Sequence, residues 1–440
     1  MPEWAQQLAG ILPLTALIEF IDLPTKLHVF ELAGCVPLWH WPVTPAGARI
    51  LLSTLDNDHA CCLDREDHST VLHCIDGRYG DCYPSSTPTT TRVIMSSSGS
   101  TIAIPNNSLN LLNSSARKQK LSVIVLDREN LSQRDEPHHE WWAMSWSRFR
   151  RHSVRYRLLS FVGWLALGGT LAISLMCGLY LSIVYLILLP LTGIAINATH
   201  GGQRRRLLDE DRSEFKRVVV CTNSFNGTHW WLFYGGSHTL NSLLNKPLFR
   251  TTPARGRGLA SRILQLLIAC QWVVAIASCA FQDWNAIIIS IWLAFCAISS
   301  GYFNPSPECV RDWLKRDCHI SSTSITTEFS SRRSMLSAMV YLNPDSSERR
   351  TSWINPILAP CAERQEWEEA LLNVLESGTE DSVGEDLRNK YWWKFITEGI
   401  EMGKAIERVI TQQLRRSDTN QSNSSAWSES FDFLKMWYKV

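Results

Sequence analysis

The chain has 440 residues, 45% of them hydrophobic and 19% charged, with a formal net charge of +1. That length accommodates two or three folding units, and averages like these also fit a soluble enzyme, so the class must be read from where the apolar residues sit. The 13 cysteines form no CxxC pair and no regular spacing, which excludes a disulfide framework and a zinc pattern; most read as buried, reduced thiols.

In chain order, Met1–Gly10 carries Glu3 and no basic residue, so it lacks the positive n-region of a secretory signal. Leu8–Leu23 reads as an amphipathic or buried helix interrupted by Pro13. Residues 1–140 are expected to form an N-terminal cytosolic α+β region. Its clearest strands are Arg92–Met95, Thr101–Ile104 and Leu121–Leu126, set apart by Ser-, Thr- and Asn-rich connectors. His138-His139-Glu140 has the letters of a metal fragment, but it lacks partners at ligand spacing and reads as surface. Residues 141–157 interleave Trp141, Trp142, Trp146 and Phe149 with arginines, as in an interfacial helix. Because this segment abuts an apolar run, anionic lipid headgroups suit its charge better than nucleic acid.

From Leu158 to Ile196 no residue is charged, a run about twice the ~20 residues of one membrane span. A hairpin over 158–197, turning near Cys177-Gly178, is the simplest solution. A second apolar pair, Ile263–Phe281 and Trp284–Phe303, is separated by Gln282-Asp283 and occupies 263–303. The expected fold class is therefore an α-helical integral membrane protein with four transmembrane helices as two hairpins, plus α+β cytosolic regions. Arg148, Arg150, Arg151, Arg155 and Arg157 precede the first span, and Arg204, Arg205 and Arg206 follow the second. Arg250, Arg255, Arg257 and Arg262 precede the third, Arg311, Lys315 and Arg316 follow the fourth, and neither turn carries Lys or Arg. The positive-inside bias then places both termini and the middle loop in the cytosol, where the sequons, Asn106, Asn197 and Asn226 among them, stay unused. The spans contain no Asp, Glu, Lys or Arg, which argues against a pump or a charged ion pathway.

The middle loop, 198–262, contains Arg217–Cys221 and His229–Tyr234 around Asn226-Gly227, a β-hairpin signal. Thr239–Leu244 reads as a short helix. In the C-terminal cytosolic helical region, 304–415, helices are expected at Cys309–Lys315, Ser331–Val340 and Glu366–Leu375. Beyond them Trp392, Phe395, Ile396, Ile400, Ile406, Val409, Ile410 and Leu414 follow a 3.6-residue period. The tail, 416–440, is mostly polar and expected to be disordered.

The sequence holds no GxSxG, Walker loop, HExxH or dinucleotide fingerprint, and no cofactor or metal is implied. The candidate catalytic residues are His200, just after the second span, and His229 in the middle loop, since imidazole titrates near neutrality; Asp209, Glu210 or Asp211 could orient them. Trp230 and Trp231 are the candidate walls of a substrate pocket. The competing reading is that these residues cap helix ends and satisfy backbone groups near the headgroups.

The blocks GLYLSIVYLILLPLTGIAINATHGG (178–202), NSFNGTHWWLFYGGSHTLNSLLNKPL (223–248) and SRRSMLSAMVYLNPD (331–345) resemble a family of uncharacterised fungal multi-pass membrane proteins. The resemblance covers roughly residues 150–375, and some members are associated with secondary-metabolite gene clusters. It implies an endomembrane protein, in the endoplasmic reticulum or a related membrane, and supplies no catalytic residue. The expected function is an accessory or scaffold for such a biosynthetic pathway, with the lipid bilayer and pathway enzymes as partners. The alternative is a membrane-embedded cyclase, isomerase or transferase acting on a lipophilic substrate at the cytosolic face.

Overall fold

A computed structural model describes residues 3–19, 23–33, 36–52, 64, 71–97, 101–107, 118–128, 154–201, 205–206, 215–245, 249–250, 257–299, 305–344, 350–378 and 384–414. The interfacial helix expected at 141–157 (apart from its last residues), the His138-His139-Glu140 triplet and the tail 416–440 lie outside them.

The chain is mostly helical around one seven-stranded sheet. Its strands are β1 (His73–Asp76), β2 (Cys82–Pro84), β3 (Thr101–Ala103), β4 (Gln119–Arg128), β6 (Lys216–Thr222), β7 (His229–Gly236) and β9 (Ile320–Phe329), in the spatial order β2-β1-β6-β7-β4-β9-β3. The β7/β4 and β9/β3 pairs are parallel and the others antiparallel. A separate two-stranded ribbon, β5 (Arg205–Arg206) with β8 (Phe249–Arg250), ties together the two ends of the middle loop. The expected N-terminal, middle and C-terminal regions are therefore one domain: β4 takes β7 from the middle loop on one edge and β9 from the C-terminal region on the other. Strands from before, between and after the two apolar pairs thus meet in one sheet.

Both faces of the sheet are covered, because successive side chains of a strand point to opposite faces. Leu121, Val123, Val218, Val220, Trp230, Leu232 and Ile325 pack on one face. They meet α11 (Arg332–Leu342), α12 (Ala362–Ser377) and the long helix α14 (393–414), whose Ile396, Ile400, Ile406 and Ile410 are buried at the expected helical period. Ile124, Leu126, Val219, Cys221 and Phe233 form the other face, under α2 (Leu23–Ala33), α4 (Pro88–Ser97) and α10 (Ser306–Arg316). Glu398, buried in α14, clamps this assembly by accepting from the Ser330 amide (2.9 Å), the Ser334 hydroxyl (2.6 Å) and Asn106 Nδ2 (2.7 Å).

The apolar helices are α5 (Val154–Met176), α6 (Tyr180–Ile196), α8 (Arg257–Phe281) and α9 (Trp284–Ile298); the short helices α7 (Ser237–Leu240) and α13 (Glu385–Arg388) complete the numbering. Among the described residues, two stretches are long and apolar enough to cross a membrane, Tyr180–His200 and Leu259–Phe281, of 21 and 23 residues. The apolar parts of their hairpin partners, Ser160–Met176 and Trp284–Ile298, are shorter, about 22–26 Å at 1.5 Å per residue against a core of ~30 Å.

The stretch 1–140, expected as one α+β region, divides. Residues 71–128 supply sheet strands, whereas α1 (Glu3–Glu19), α3 (Pro45–Leu52) and the segment between α2 and α3 pack on the apolar helices. Arg92–Met95 lies within α4, not in a strand: Pro88 sits in its first turn and Ile94 is fully buried. β9, ISSTSITTEF, was not among the expected elements.

Candidate functional site

The four candidate residues do not assemble. β7 carries His229, Trp230 and Trp231, and alternation sends neighbouring side chains to opposite faces. Trp230 is fully buried in the core under α11, where its Nε1 donates to Gln119 Oε1 (3.2 Å) and Arg332 lies 5.7 Å above its ring. Trp231 faces the other way and stacks on the His229 ring at 4.1 Å between centroids. The two tryptophans therefore do not wall one pocket. Trp230 is a core residue.

His229 registers with Lys120 of β4 and reaches diagonally to Ser122, with Nε2 and Oγ 3.1 Å apart. Its imidazolium is disfavoured by burial first and by Lys120 second, so its pKa lies below the ordinary histidine value. The neutral ring can accept the Ser122 hydroxyl proton, the geometry of a hydroxyl beside a base. Ser122 is itself 5% exposed, and the pair also serves as a cross-strand hydrogen bond within the sheet.

His200 belongs to another neighbourhood. Thr192 and Thr199 turn their hydroxyls onto their own helix (2.7 and 2.9 Å), and α6 runs out in a wide turn, Asn197–Gly201. That turn brings His200 Nδ1 to 3.1 Å from Oε1 of Glu31, whose side chain is fully buried. Glu31 lies on α2, so its pairing joins the end of α6 to the layer covering the sheet. Asp209, Glu210 and Asp211 lie outside the described residues. Among the described residues no three His, Cys, Asp or Glu side chains gather as a metal site.

A third neighbourhood, not anticipated from the sequence, lies where α2 and the segment Val36–Thr44 enter the apolar helices. Backbone threads closely here. A Cβ on Gly193 would come within 2.2 Å of the Leu38 carbonyl oxygen, so only glycine lets this segment lie against α6. The segment's backbone is satisfied by side chains of the helices. Gln271 accepts from the Val43 amide (3.1 Å) and donates to the Trp41 carbonyl (3.3 Å) and the Thr192 hydroxyl (2.6 Å), and Trp272 Nε1 donates to the Val43 carbonyl (2.9 Å). His40 Nε2 bonds the Cys296 carbonyl. Trp39 stacks on Phe295 at 5.5 Å and meets Trp292 edge-on at 6.0 Å.

Lys26 closes this neighbourhood from α2. It is 8% exposed, with Nζ 5.8 Å above the Trp41 ring and no hydrogen-bond partner among the described residues. Burial lowers its pKa to about 7, partly offset by the nearby Cys296 thiol. The signal in the sequence was Lys26, His28 and Glu31 on one otherwise apolar helix, followed by Trp39-His40-Trp41 between Pro37 and Pro42. No protein-family model, curated protein or solved structure matches the chain.

Proposed function

We propose that the four apolar helices cross a bilayer as two hairpins and hold the sheet domain at the cytosolic face of an endomembrane. On this reading the protein is a membrane-anchored accessory or scaffold for enzymes that make a lipophilic product, and the fungal secondary-metabolite setting is what the sequence resemblance implies. One observation carries the anchoring: strands from before, between and after the two apolar pairs share one sheet, so domain and hairpins form a single folding unit. Arg205, Arg206 and Arg250, gathered at the base of the middle loop by β5 and β8, suit the cytosolic leaflet. Proximity labelling from the C-terminus should enrich soluble biosynthetic enzymes, and deletion should change the profile of lipophilic products. An unchanged profile in the deletion strain would remove the pathway from the proposal.

On this reading the N-terminus would not share the cytosolic placement of the sheet domain. α1 lies along both α8 and α9, which meet each other over less of their length. A Cβ on Gly10 would lie 3.0 Å from Nε2 of Gln282, in the turn between those helices. That turn is the end of the pair remote from the sheet, since α9 leads directly into α10. On the membrane reading, residues ahead of Gly10 stand on the far side and α1 is a fifth crossing segment. An epitope tag before Met1 should be protected from protease in sealed microsomes, while a tag after Val440 is digested; digestion of both would restore the even-numbered topology.

The Ser122–His229 contact favours a second reading, an enzyme acting on a membrane-dissolved substrate. Ser122→Ala and His229→Ala variants with normal expression should then lose product. Full product from both would eliminate this reading.

A further inference from the structure

Cys74 and Cys221 are 147 residues apart in the chain, and their Sγ atoms lie 3.4 Å apart in the core of the sheet. Strand register brings them together, since Cys74 of β1 stands directly opposite Cys221 of β6. Antiparallel strands alternate hydrogen-bonded and non-hydrogen-bonded pairs. The Gly77 amide donates to the Val218 carbonyl at 3.0 Å, which fixes the phase: Ile75 and Val220 are a hydrogen-bonded pair, Cys74 and Cys221 a non-hydrogen-bonded one. In such a pair the Cα atoms approach to about 4.5 Å and the side chains come closest. That separation falls inside the range a disulfide can span.

The surrounding groups do not compete for this contact. Cys82 of β2 is exposed, but it stands opposite Ile75, so alternation turns it to the other face of the sheet. Cys309 and Cys318 reach the same core from the helical layer that covers it. Along the row, Tyr83 flanks Cys74 and Trp231 flanks Cys221. The Tyr83 hydroxyl is buried near both thiols without a hydrogen-bond partner among the described residues, and burial keeps it protonated. Asp76, two residues along the same face, is taken up by Nε of Arg217 at 2.8 Å.

Both cysteines are fully buried. Burial first, and the contact with Cys74 second, hold the Cys221 thiol well above its ordinary pKa. Reaction at the pair therefore requires a small reagent and a local opening of the sheet. The edge provides that opening. β2 and β1 are the outermost strands on this side, and only three residues of β2 register with β1 and four of β1 with β6. Short edge strands of this kind open at less cost than the interior of a sheet.

We propose that Cys74 and Cys221 are a redox-active pair that a hydroperoxide converts into a cross-strand disulfide, pinning the β1–β2 edge to the sheet. One sulfur, as its thiolate, attacks the O–O bond of the hydroperoxide. An S–O bond forms, the O–O bond breaks, and the departing oxygen takes up the displaced proton to leave as an alcohol, or as water from hydrogen peroxide. The second thiol attacks the resulting sulfenic sulfur; the S–S bond forms, the S–O bond breaks, and water leaves with the second proton. Two electrons pass from the two thiols to the hydroperoxide. A small thiol reverses the reaction by exchange, and in a reducing compartment the dithiol is the resting form. The link closes a loop that contains β4, α5 and α6, so it restricts the unfolded chain as well as the sheet edge.

The test uses the full chain, reduced and freed of reductant, in phosphatidylcholine nanodiscs. Hydrogen peroxide is added, remaining thiols are blocked with iodoacetamide, and linked peptides are identified by non-reducing mass spectrometry. The Cys74–Cys221 link should exceed every other cysteine pair by about 10-fold and disappear on adding dithiothreitol. Oxidation should slow amide exchange over residues 73–84 by about 10-fold and raise Tm by about 5 °C. Both changes should be absent from Cys221→Ala. The link itself is read in the unaltered chain, so the outcome does not hang on the variant's folding. Oxidation of the exposed Cys82, Cys177 and Cys361 with Cys74 and Cys221 left as thiols would overturn the proposal. Linkage of either residue to Cys309 or Cys318 in place of its cross-strand partner would do the same. A Cys74–Cys221 link that leaves exchange over 73–84 unchanged would overturn the pinning of the edge.

Discussion

Lys26 and Glu31 occupy the same short helix, and their surroundings give opposite consequences. Lys26 keeps its ordinary pKa in the unfolded chain but falls to about 7 in the folded one. Between those values the unfolded chain binds more protons, so stability rises with pH, by roughly 1.4 kcal/mol per unit, and is flat below about 7. Lys26→Met removes the buried amine and keeps its length. In detergent the variant should melt higher than the parent at pH 7, and the parent's rise in Tm between pH 7 and 10 should be missing from it. Glu31, in contrast, has a donor in His200 at 3.1 Å. His200→Ala deletes that donor beside a fully buried carboxylate, so it should cost about 1–3 kcal/mol. His200→Gln, which restores an N–H, should recover much of the loss, and denaturant melts of the pair would register the difference. At this scale the sequence was partly legible. His200 could be singled out because it follows an apolar span, but its partner, 169 residues earlier, could not. Trp230 and Trp231 were legible as aromatic strand residues, yet which one faces the core depends on how β7 registers with β4 and β6.

At the scale of elements, local pattern and long-range packing contributed unequally. The hairpin at Asn226-Gly227 and the amphipathic helix 393–414 could be read directly, since turn chemistry and a 3.6-residue period are local properties. β9 could not, because Ile320, Ile325 and Phe329 stand four or five residues apart among Ser and Thr and show no two-residue alternation; ten consecutive pairings with β4 settle it. Nor was the crossing of α14 on α11 visible. Gly399 and Gly403, four residues apart, allow α14 to lie directly on Ser337 and Tyr341: a Cβ at Gly399 would come within 2.4 Å of the Ser337 Cβ and 2.5 Å of the Ser334 carbonyl oxygen. Backbone cannot yield as a side-chain tip does. Gly399→Ala should therefore destabilise by about 3 kcal/mol despite its gain in helix propensity. Gly384→Ala, with nothing within 4 Å of its new methyl, is the matched control and should change stability by less than about 1 kcal/mol. Limited proteolysis of the two variants would separate them.

For the molecule as a whole, the order of strands constrains how it can be assembled. β4 is central, but neither of its sheet neighbours exists until the chain has passed the first apolar pair, for β7, and the second, for β9. The interval between β4 and β9 contains all four apolar helices, so loop closure over this distance depends on the hairpins folding back and returning the chain to the same side. A chain ending at residue 304 keeps every apolar helix but loses β9 together with α10, α11, α12 and α14. It should insert in membranes as the full chain does and yet leave Leu121, Val123, Val218 and Val220 uncovered. An uncovered central strand with a bare edge is a template for association. The truncated protein should therefore be membrane-bound, protease-sensitive throughout residues 71–128, and aggregated when extracted. Supplying residues 305–440 as a separate soluble chain should restore protease resistance if sheet and helices form one folding unit. Persistent sensitivity despite binding of the second piece would mean that covalent continuity through the hairpins is itself required to set the β4–β9 register.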